Sequence, residues 1–408
     1  MSSKKASILL GLCLMVGAGS AFQGCNGPST IQFGAVLPLS GERQSYGEVV
    51  RKGIEVALEE IKAEAAAKKI TVELTVVDSQ SDAQKAAEQL KELYDQGVLA
   101  VIGGVTTAEA LAMVEVADRY NRILLSPSAS TPDLTGISNR FYRVWPSDYR
   151  EGMKMGEYAR QKLNLETAVT LTAESQYAKG IQAVFSSSFE KNGGQVLEQI
   201  EYPAGTLELD ALVDRVITLN PQCVYLADYE DVIVNLIKLL KAKSFAGKIL
   251  TVSAFATQKA LTDAGKDAEG VFITHSPYDP EDQENPKLQE FVKAYRAKYG
   301  ETPDIYAAHG YDAMLVLYQA SQLDGGDRSS SFWKGMKAIT ALQGATGVLQ
   351  FDDQGDVQKW PRVYFVVDGK PVDHEYWVKH QKEKILQEYQ RLKQEQRELV
   401  RGAAQGNG

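Results

Sequence analysis

The chain is poor in cysteine. Its 408 residues contain three cysteines, of which Cys13 and Cys25 lie close to the N-terminus. Only Cys223 remains in the body of the chain, within an apolar segment that predicts a buried strand. One leftover thiol cannot form an internal disulfide, so the fold must depend on the burial of apolar side chains. A chain of this length can form two domains, each with a full core.

Signatures of catalysis are also missing. No G-x-G-x-x-G motif follows the first predicted strand, and the P-loop, G-x-S-x-G and H-E-x-x-H motifs are absent. The histidines fall in different predicted elements without metal-ligand spacing: His275, His309, His374 and His380. We therefore expect no enzymatic activity, no metal and no cofactor. An exported α/β enzyme such as a hydrolase is the least favoured alternative.

Long apolar runs and basic patches are scarce. The N-terminal apolar run from Ile8 to Val16 is too short to span a bilayer. Two lysines precede it and small residues follow it, which predicts an export signal over residues 1–24. The net charge of −9, with no basic patch before the C-terminal segment, disfavours a nucleic-acid partner.

The end of the export signal suggests a lipid anchor. Gly24-Cys25 resembles a bacterial lipoprotein cleavage site, so we expect Cys25 to be lipidated and the protein to be anchored to a membrane. A simple signal peptide cut near Ala21 is the alternative, with the protein free in the periplasm. Either form places the mature chain outside the cytoplasm.

Apolar strand segments alternate with amphipathic helical segments along most of the chain. The pattern between Ile31 and Leu125 is βαβαβαβ with short connections, and it restarts after Trp145 and continues to Thr274. This repetition predicts an α/β protein with two doubly wound parallel-sheet lobes. The segments beyond Pro277 hold too few strands for a third domain, so they complete the first two lobes.

One stretch combines a strand end with a helix start. Residues 124–135 read LLSPSASTPDLT, in which Pro132 suits the first helical position and Ser130 or Thr131 suits the cap. Gly103-Gly104-Val105-Thr106-Thr107 likewise follows a strand and opens a helix. Hydroxyls and unpaired N–H groups at such ends bind anions such as carboxylates, although both stretches also fit ordinary capped turns.

Tyrosines recur in the same structural position. Tyr46, Tyr177 and Tyr229 each follow a predicted parallel strand. Ligands of open α/β sheets bind at the carboxyl ends of the strands. A single tyrosine there is more often a packing residue, but the shared placement of these three favours a ligand site.

Seven motifs occur between about Ile31 and Gly369. They are GAVLPLSGERQSYGEVVRKGIEVALEEI, AVIGGVTTAEAL, ILLSPSASTPDLT, FYRVWPSDYREG, SQYAKG, AHGYDAMLVL and FDDQGD. Their order and spacing resemble the type I periplasmic solute-binding proteins, in the leucine/isoleucine/valine-binding branch. This resemblance implies two lobes joined by three crossing segments, near Trp145–Ser147, Ser276–Pro277 and Phe351–Asp353, that close on a small ligand for delivery to an ABC permease.

The resemblance also implies the roles of the site residues. A ligand carboxylate would meet Thr107 and Ser130 with the nearby N–H groups around Thr106 and Ala129, and a ligand ammonium would meet the carbonyl of Ser128. The remaining residues would complete the cleft: Tyr46, Asp148 at the first crossing, Tyr177, Tyr229 and Ser253.

The chain departs from that family at one position. Amino-acid binders of this branch place a glutamate where this chain has Ser253, and a buried ammonium without a carboxylate partner is costly. Asp228 or Glu230 are candidates to replace it. An amino acid or a relative is the expected ligand, and other carboxylates, an amide or a small peptide stay open.

These observations define the expected organisation. We expect lobe 1 at 25–146 and 277–352, lobe 2 at 147–276 and 353–378, a charged helix at 379–401 and a disordered tail at 402–408. The charged helix carries a thin apolar seam, so it is either a solvated helix or a partner-docking segment. The leading hypothesis is a solute-binding protein of an ABC importer, and a ligand-sensing subunit for a membrane signalling partner is the alternative.

Overall fold

The computed structural model describes residues 29–206, 208–324 and 331–405. The predicted export signal and the predicted lipidation site at Cys25 lie outside these ranges and stay predictions. Within the described ranges, no helix combines the length and the apolar character that crossing a bilayer requires.

The first sheet is parallel and has the strand order β2-β1-β3-β4-β5. It alternates with three helices, and the elements are β1 Ser29–Leu37, α1 Gln44–Ala67, β2 Ile70–Asp78, α2 Ala83–Asp95, β3 Ala100–Gly103, α3 Thr107–Tyr120, β4 Ile123–Ser126 and β5 Phe141–Arg143. The strand order reverses between β1 and β3, which opens a crevice at their carboxyl ends. α1 and α3 both begin at this crevice.

After β5 the chain crosses to the second lobe. The elements in this part are α4 Asp148–Gln161, β6 Thr167–Ala173, α5 Gln176–Lys191, β7 Gln195–Tyr202, α6 Asp210–Leu219, β8 Cys223–Ala227, α7 Glu230–Ala242, β9 Lys248–Thr251, α8 Gln258–Ala264 and β10 Phe272–His275. The inner strands β6, β8, β9 and β10 are mostly buried because helices cover both faces of the sheet, whereas the edge strand β7 is largely exposed or half-buried. Cys223 is fully buried in β8.

The C-terminal part of the chain serves both lobes. α9 Pro286–Tyr299, α10 Ile305–Leu323 and α11 Phe332–Ala338 return to the first lobe, followed by the hairpin of β11 Leu342–Gly344 and β12 Gly347–Leu349. α10 packs closely on α1, because a Cβ atom on Gly53 would lie 1.9 Å from the carbonyl oxygen of Ala307. This close contact brings the start of α10 to the same crevice as α1.

The sequence predicts a parallel sheet in the second lobe, but the sheet of the structure also contains antiparallel pairings. β13 Arg362–Val367 pairs antiparallel with β10, and β14 Lys370–Asp373 pairs antiparallel with β13, which gives the order β14-β13-β10-β9-β8-β6-β7. Asp368 and Gly369 form the turn between them with φ of 50° and 71°. Both residues take positive φ, as a tight hairpin turn requires, and Asp-Gly is a preferred sequence for it.

The third crossing and the C-terminal helix both have bounds that differ from the predicted ones. Asp356 still bridges to Arg143 at the end of β5, so the third crossing follows Asp356 instead of lying at Phe351–Asp353. The last helix, α12, runs from His374 to Gln405 and so enters the segment that we expected to be disordered. Most of its described side chains are exposed.

Candidate ligand-binding site

A small cavity lies between the two lobes, at the carboxyl ends of both sheets. It is enclosed by Tyr46, Val105, Thr106, Thr107, Ser128, Ala129, Ser130, Tyr177, Tyr229, Ser253, Ala254 and Tyr306. All the predicted ligand-binding residues except Asp148 are in this set, and Asp148 lies directly behind Ser130.

The start of α3 forms one part of the wall. Thr106 is the N-cap: its hydroxyl accepts from the N–H of Glu109 at 3.3 Å, and the Glu109 carboxylate accepts from the N–H of Thr106 at 3.1 Å. Because the Thr106 hydroxyl is bonded within this capping box, it is not available to a ligand. The Thr107 hydroxyl forms no hydrogen bond with any described residue, so it stays free to bind a ligand.

The loop after β4 forms the adjacent part. The Ser126 hydroxyl accepts from the N–H groups of Ser128 at 3.3 Å and Ala129 at 2.9 Å, and it donates to the carbonyl of Gly104 at 2.7 Å. The Ser128 hydroxyl donates to the carbonyl of Val105 at 2.7 Å. Sequence reasoning missed Ser126, which fixes the loop shape without reaching the cavity.

The sequence predicts that the Ser130 hydroxyl contacts the ligand, but in the structure this hydroxyl is already bonded. Its hydroxyl donates to the Asp148 carboxyl at 3.0 Å, and its carbonyl accepts from the N–H of Asp148 at 2.7 Å. Its own N–H has no partner among the described residues. The main chain of Ser130, more than its side chain, is therefore available to an anion. Pro132 does begin a short helical turn, but Thr131 forms no side-chain cap.

Four tyrosine rings enclose the rest of the cavity. The ring centroid of Tyr46 lies 6.0 Å from that of Tyr229 and 5.0 Å from that of Tyr306, and Tyr177 lies 5.1 Å from Tyr229. Trp145, at the first crossing, stacks on Tyr306 at 4.8 Å. Sequence reasoning missed Tyr306, which begins a helix in a distant part of the chain.

Hydrogen bonds between the lobes close the cavity. The Tyr46 hydroxyl donates to the Ala254 carbonyl at 3.1 Å and accepts from the N–H of Glu230 at 3.2 Å. The Tyr306 hydroxyl donates to the Ser253 carbonyl at 3.3 Å. At the rim, Arg43 pairs with Asp231 at 3.2 Å and covers the Tyr229 ring at 3.9 Å. The structure is thus a closed arrangement of the two lobes.

Two carboxyl groups are buried behind the wall. Burial raises the pKa of Asp148 to about 7, against the opposing effect of the Ser130 hydrogen bond. Burial, with the nearby Asp148, also raises the pKa of Glu151 well above its ordinary value. Glu151 accepts from the N–H of Ser253 at 2.8 Å and from its hydroxyl at 3.1 Å. Sequence reasoning missed Glu151, although it lies one turn after Asp148.

Neither acid suggested as a replacement for the missing glutamate reaches the cavity. Asp228 accepts from the Tyr202 hydroxyl at 2.9 Å and from the N–H of Tyr229 at 2.7 Å. Glu230 accepts from the hydroxyls of Ser45, at 2.5 Å, and Thr257. Both side chains therefore serve other partners. Among the described residues, no cluster of histidine, cysteine and acidic side chains has the arrangement of a metal site.

Comparison with known proteins assigns the family. A sequence model of the periplasmic binding proteins matches residues 30–367. The chain therefore belongs to the type I periplasmic binding protein family, whose members act outside the cytoplasm.

Individual relatives are distant but cover most of the chain. A leucine-, isoleucine-, valine-, threonine- and alanine-binding protein of Pseudomonas aeruginosa is 22% identical over 81% of this chain and 88% of its own length. A leucine-binding protein of Thermotoga maritima is 28% identical, covers 84% of this chain and 97% of its own, and superposes with a TM-score of 0.78.

A third relative has a different ligand. A solute-binding protein of an ABC transporter from R. palustris, solved with benzoate, is 22% identical, covers 85% of this chain and 96% of its own, and has a TM-score of 0.76. At this identity the likeness shows the fold alone.

Proposed function

We propose that this protein captures a small carboxylate-bearing solute, an amino acid or a relative, and delivers it to an ABC importer. The observation that carries the proposal is the cavity between the lobes, where the Thr107 hydroxyl and the Ser130 N–H form no hydrogen bond with any described residue. The start of α3 adds a partial positive charge, which favours an anion. The names of the Pseudomonas and Thermotoga relatives support an amino acid.

Closure of the lobes supplies the mechanism. A ligand bound to the donors of lobe 1 is covered when Tyr46 and Tyr306 bond to the main chain of lobe 2. The ligand needs only to bind the closed state better than the open one for this equilibrium to shift. The closed complex then differs in shape from the empty protein, which gives a permease a means of recognising it.

Replacing Thr107 with valine tests the site, because valine keeps the shape and removes the free hydroxyl. Loss of a hydrogen bond to a charged group should weaken ligand affinity by about 10- to 100-fold in calorimetric titration. Thr251→Val is the matched control: its hydroxyl donates to the Leu226 carbonyl at 3.1 Å inside the second sheet. Unchanged affinity in Thr107→Val would refute the site.

We also propose that Cys25 is lipidated and anchors the protein to a membrane, on the support of the sequence pattern alone. The wild-type protein should then be found in the membrane fraction with an acylated N-terminus by mass spectrometry. Cys25→Ala should release it. Release of the wild type with a free N-terminus near residue 22 would favour the simple signal peptide.

A second candidate function is a ligand-sensing subunit. The observation that favours it is the exposed apolar seam of α12, where Ile385, Leu386, Tyr389 and Leu392 are more than half exposed. Deleting residues 379–408 separates the two functions. Transport that persists while a signalling response is lost supports the sensor, and transport lost with the ligand affinity unchanged makes α12 part of permease docking.

A further inference from the structure

We propose that the solute is a monocarboxylate with an uncharged body and no ammonium group. The cavity joins an anion-binding end to a wall of tyrosines and offers no acidic side chain. This inference rests on the proposed function and narrows its ligand class.

Three helices begin at the cavity. Thr107 and Tyr177 lie in the first turns of α3 and α5, and Tyr229 immediately precedes α7. The N-terminus of a helix carries a partial positive charge, so all three favour an anion and disfavour a cation. One such end alone would carry no inference, but here three begin at one cavity, where the Thr107 hydroxyl and the Ser130 N–H form no hydrogen bond with the residues that the structure describes.

The acidic side chains near this field lie behind the cavity wall, and apart from one oxygen of Asp148 they are bonded to protein groups. No charged side chain is among the residues that enclose the cavity. Glu230 is bonded to Ser45 and Thr257, and Glu151 is bonded through both oxygens to Ser253. Burial also raises the pKa of Glu151 and of Asp148, so both carry less negative charge near neutral pH. An ammonium in the cavity would lose its water without gaining an ionic partner.

The main-chain acceptors of the wall are largely occupied as well. The carbonyls of Ser253 and Ala254 accept from Tyr306 and Tyr46, and the carbonyl of Val105 accepts from Ser128. An ammonium has three N–H donors to satisfy. The Ser128 carbonyl, which the family resemblance assigns to the ammonium, can take one of them.

The opposite end of the cavity suits a neutral body. The hydroxyls of Tyr177 and Tyr229 form no hydrogen bonds with described residues, and their rings lie 5.1 Å apart. Aromatic faces and edges favour another ring or a branched apolar group, and the two hydroxyls can bond a neutral polar substituent. Aromatic monocarboxylates meet each of these conditions.

Matched pairs of ligands test the inference directly. L-Leucine and 4-methylpentanoate differ by the α-ammonium alone, and so do L-phenylalanine and 3-phenylpropanoate. Calorimetric titration of the full-length protein, unfolded and refolded to remove bound solute, should show at least about tenfold tighter binding of the amine-free member of a pair. Tighter binding of the amino acid overturns this inference and leaves the proposed function intact. No binding by these or by a wider carboxylate panel overturns both.

A substitution at the wall provides a second measurement. Ser253→Glu adds the missing acid, and Ser253→Gln is the neutral control of the same size. The glutamate variant should shift the preference toward the amino acid by at least about tenfold relative to the glutamine variant. Equal preferences in two folded variants contradict the inference. If the glutamate variant does not fold, the ligand pairs decide the question with the wild-type protein.

Discussion

The two walls of the cavity are built differently. Lobe 1 presents the free groups of Thr107 and Ser130 on short, tightly bonded turns, whereas lobe 2 presents the rings of Tyr177 and Tyr229. The lobe 1 turns are held by bonds within the same lobe, notably those of Ser126 and the capping box of Thr106. We therefore expect this wall to keep its shape in the open protein. Under the proposed function, the difference predicts that lobe 1 binds the carboxylate first and that lobe 2 then closes on the body of the ligand.

The strongest test removes the support of the lobe 1 wall. Arg143, which is fully buried, forms two bonds to Asp356 at 2.6 and 2.9 Å and donates to the Thr131 carbonyl at 2.9 Å. Arg143→Ala leaves Asp356 buried without its cation. We expect a loss of about 3–5 kcal/mol in the free energy of unfolding, measured by chemical denaturation.

Arg215 provides the control for that prediction. It bonds to Glu198 at 2.7 and 3.0 Å, but its side chain is 53% exposed. Arg215→Ala should cost about 1 kcal/mol or less. Similar losses in the two variants would show that Arg143 does not hold the wall.

The second test measures how the stability of the protein depends on pH, through a buried contact between the two lobes. Asp148 lies in lobe 2 and bonds to Ser130 in lobe 1, and burial raises its pKa to about 7. The folded protein therefore retains a proton there that the unfolded chain releases near pH 4. This contribution to stability is complete below pH 4 and is lost as the pH rises to about 7, by about 2–4 kcal/mol.

Asp148→Asn removes this titration together with its effect on the pKa of Glu151, because asparagine can still accept from Ser130 and does not titrate. Unfolding free energies of both proteins should be measured between pH 4 and pH 8. The difference between wild type and variant should fall with rising pH across that interval. A difference that stays constant or rises would contradict the neutral, buried carboxyl.

Closure itself is tested by Tyr46→Phe, which keeps the ring and removes the hydroxyl that bonds to Ala254 and Glu230. Two lost bonds across the lobes should reduce ligand affinity by about 5- to 30-fold, and X-ray scattering should show a larger open fraction at a fixed ligand concentration. Tyr94→Phe removes a comparable bond, to the Ile123 carbonyl at 3.0 Å, within lobe 1. Its affinity should match the wild type, and an equal loss in both variants would contradict a role in closure.

The contrast between the walls also explains which site residues the sequence could predict. Thr107, Ser130 and Tyr177 each follow a parallel strand within a few residues, so local pattern and the rule for strand ends were enough. The rule does not say which polar group is free. The capping role of Thr106 and the bond from Ser130 to Asp148 appear only in three dimensions.

The residues that sequence reasoning missed depend on distant contacts. Tyr306 lies in α10, whose residues are buried on nearly every side, so the helix lacks an amphipathic pattern that would orient it. Glu151 meets Ser253 from 102 positions away. β14 was a different kind of omission, because its Asp368-Gly369 turn is a local signal that went unused. The general fold followed from repetition of the βα pattern, which does not depend on any one contact.

The smallest expected effect concerns the rim, where Arg43 of lobe 1 pairs with Asp231 and covers the ring of Tyr229 in lobe 2. Arg43→Ala should weaken ligand affinity by about two- to fivefold, because a partly exposed ion pair and a cation–π contact each contribute little. Arg51→Ala, in the helix α1 that directly follows Arg43, breaks pairs with Glu48 and Glu55 inside lobe 1 and should leave affinity unchanged. Because salt screens exposed charges, the difference between the two variants should shrink at high ionic strength. A difference that persists in salt would assign the contribution of Arg43 to its packing on the ring of Tyr229 instead of to its charge.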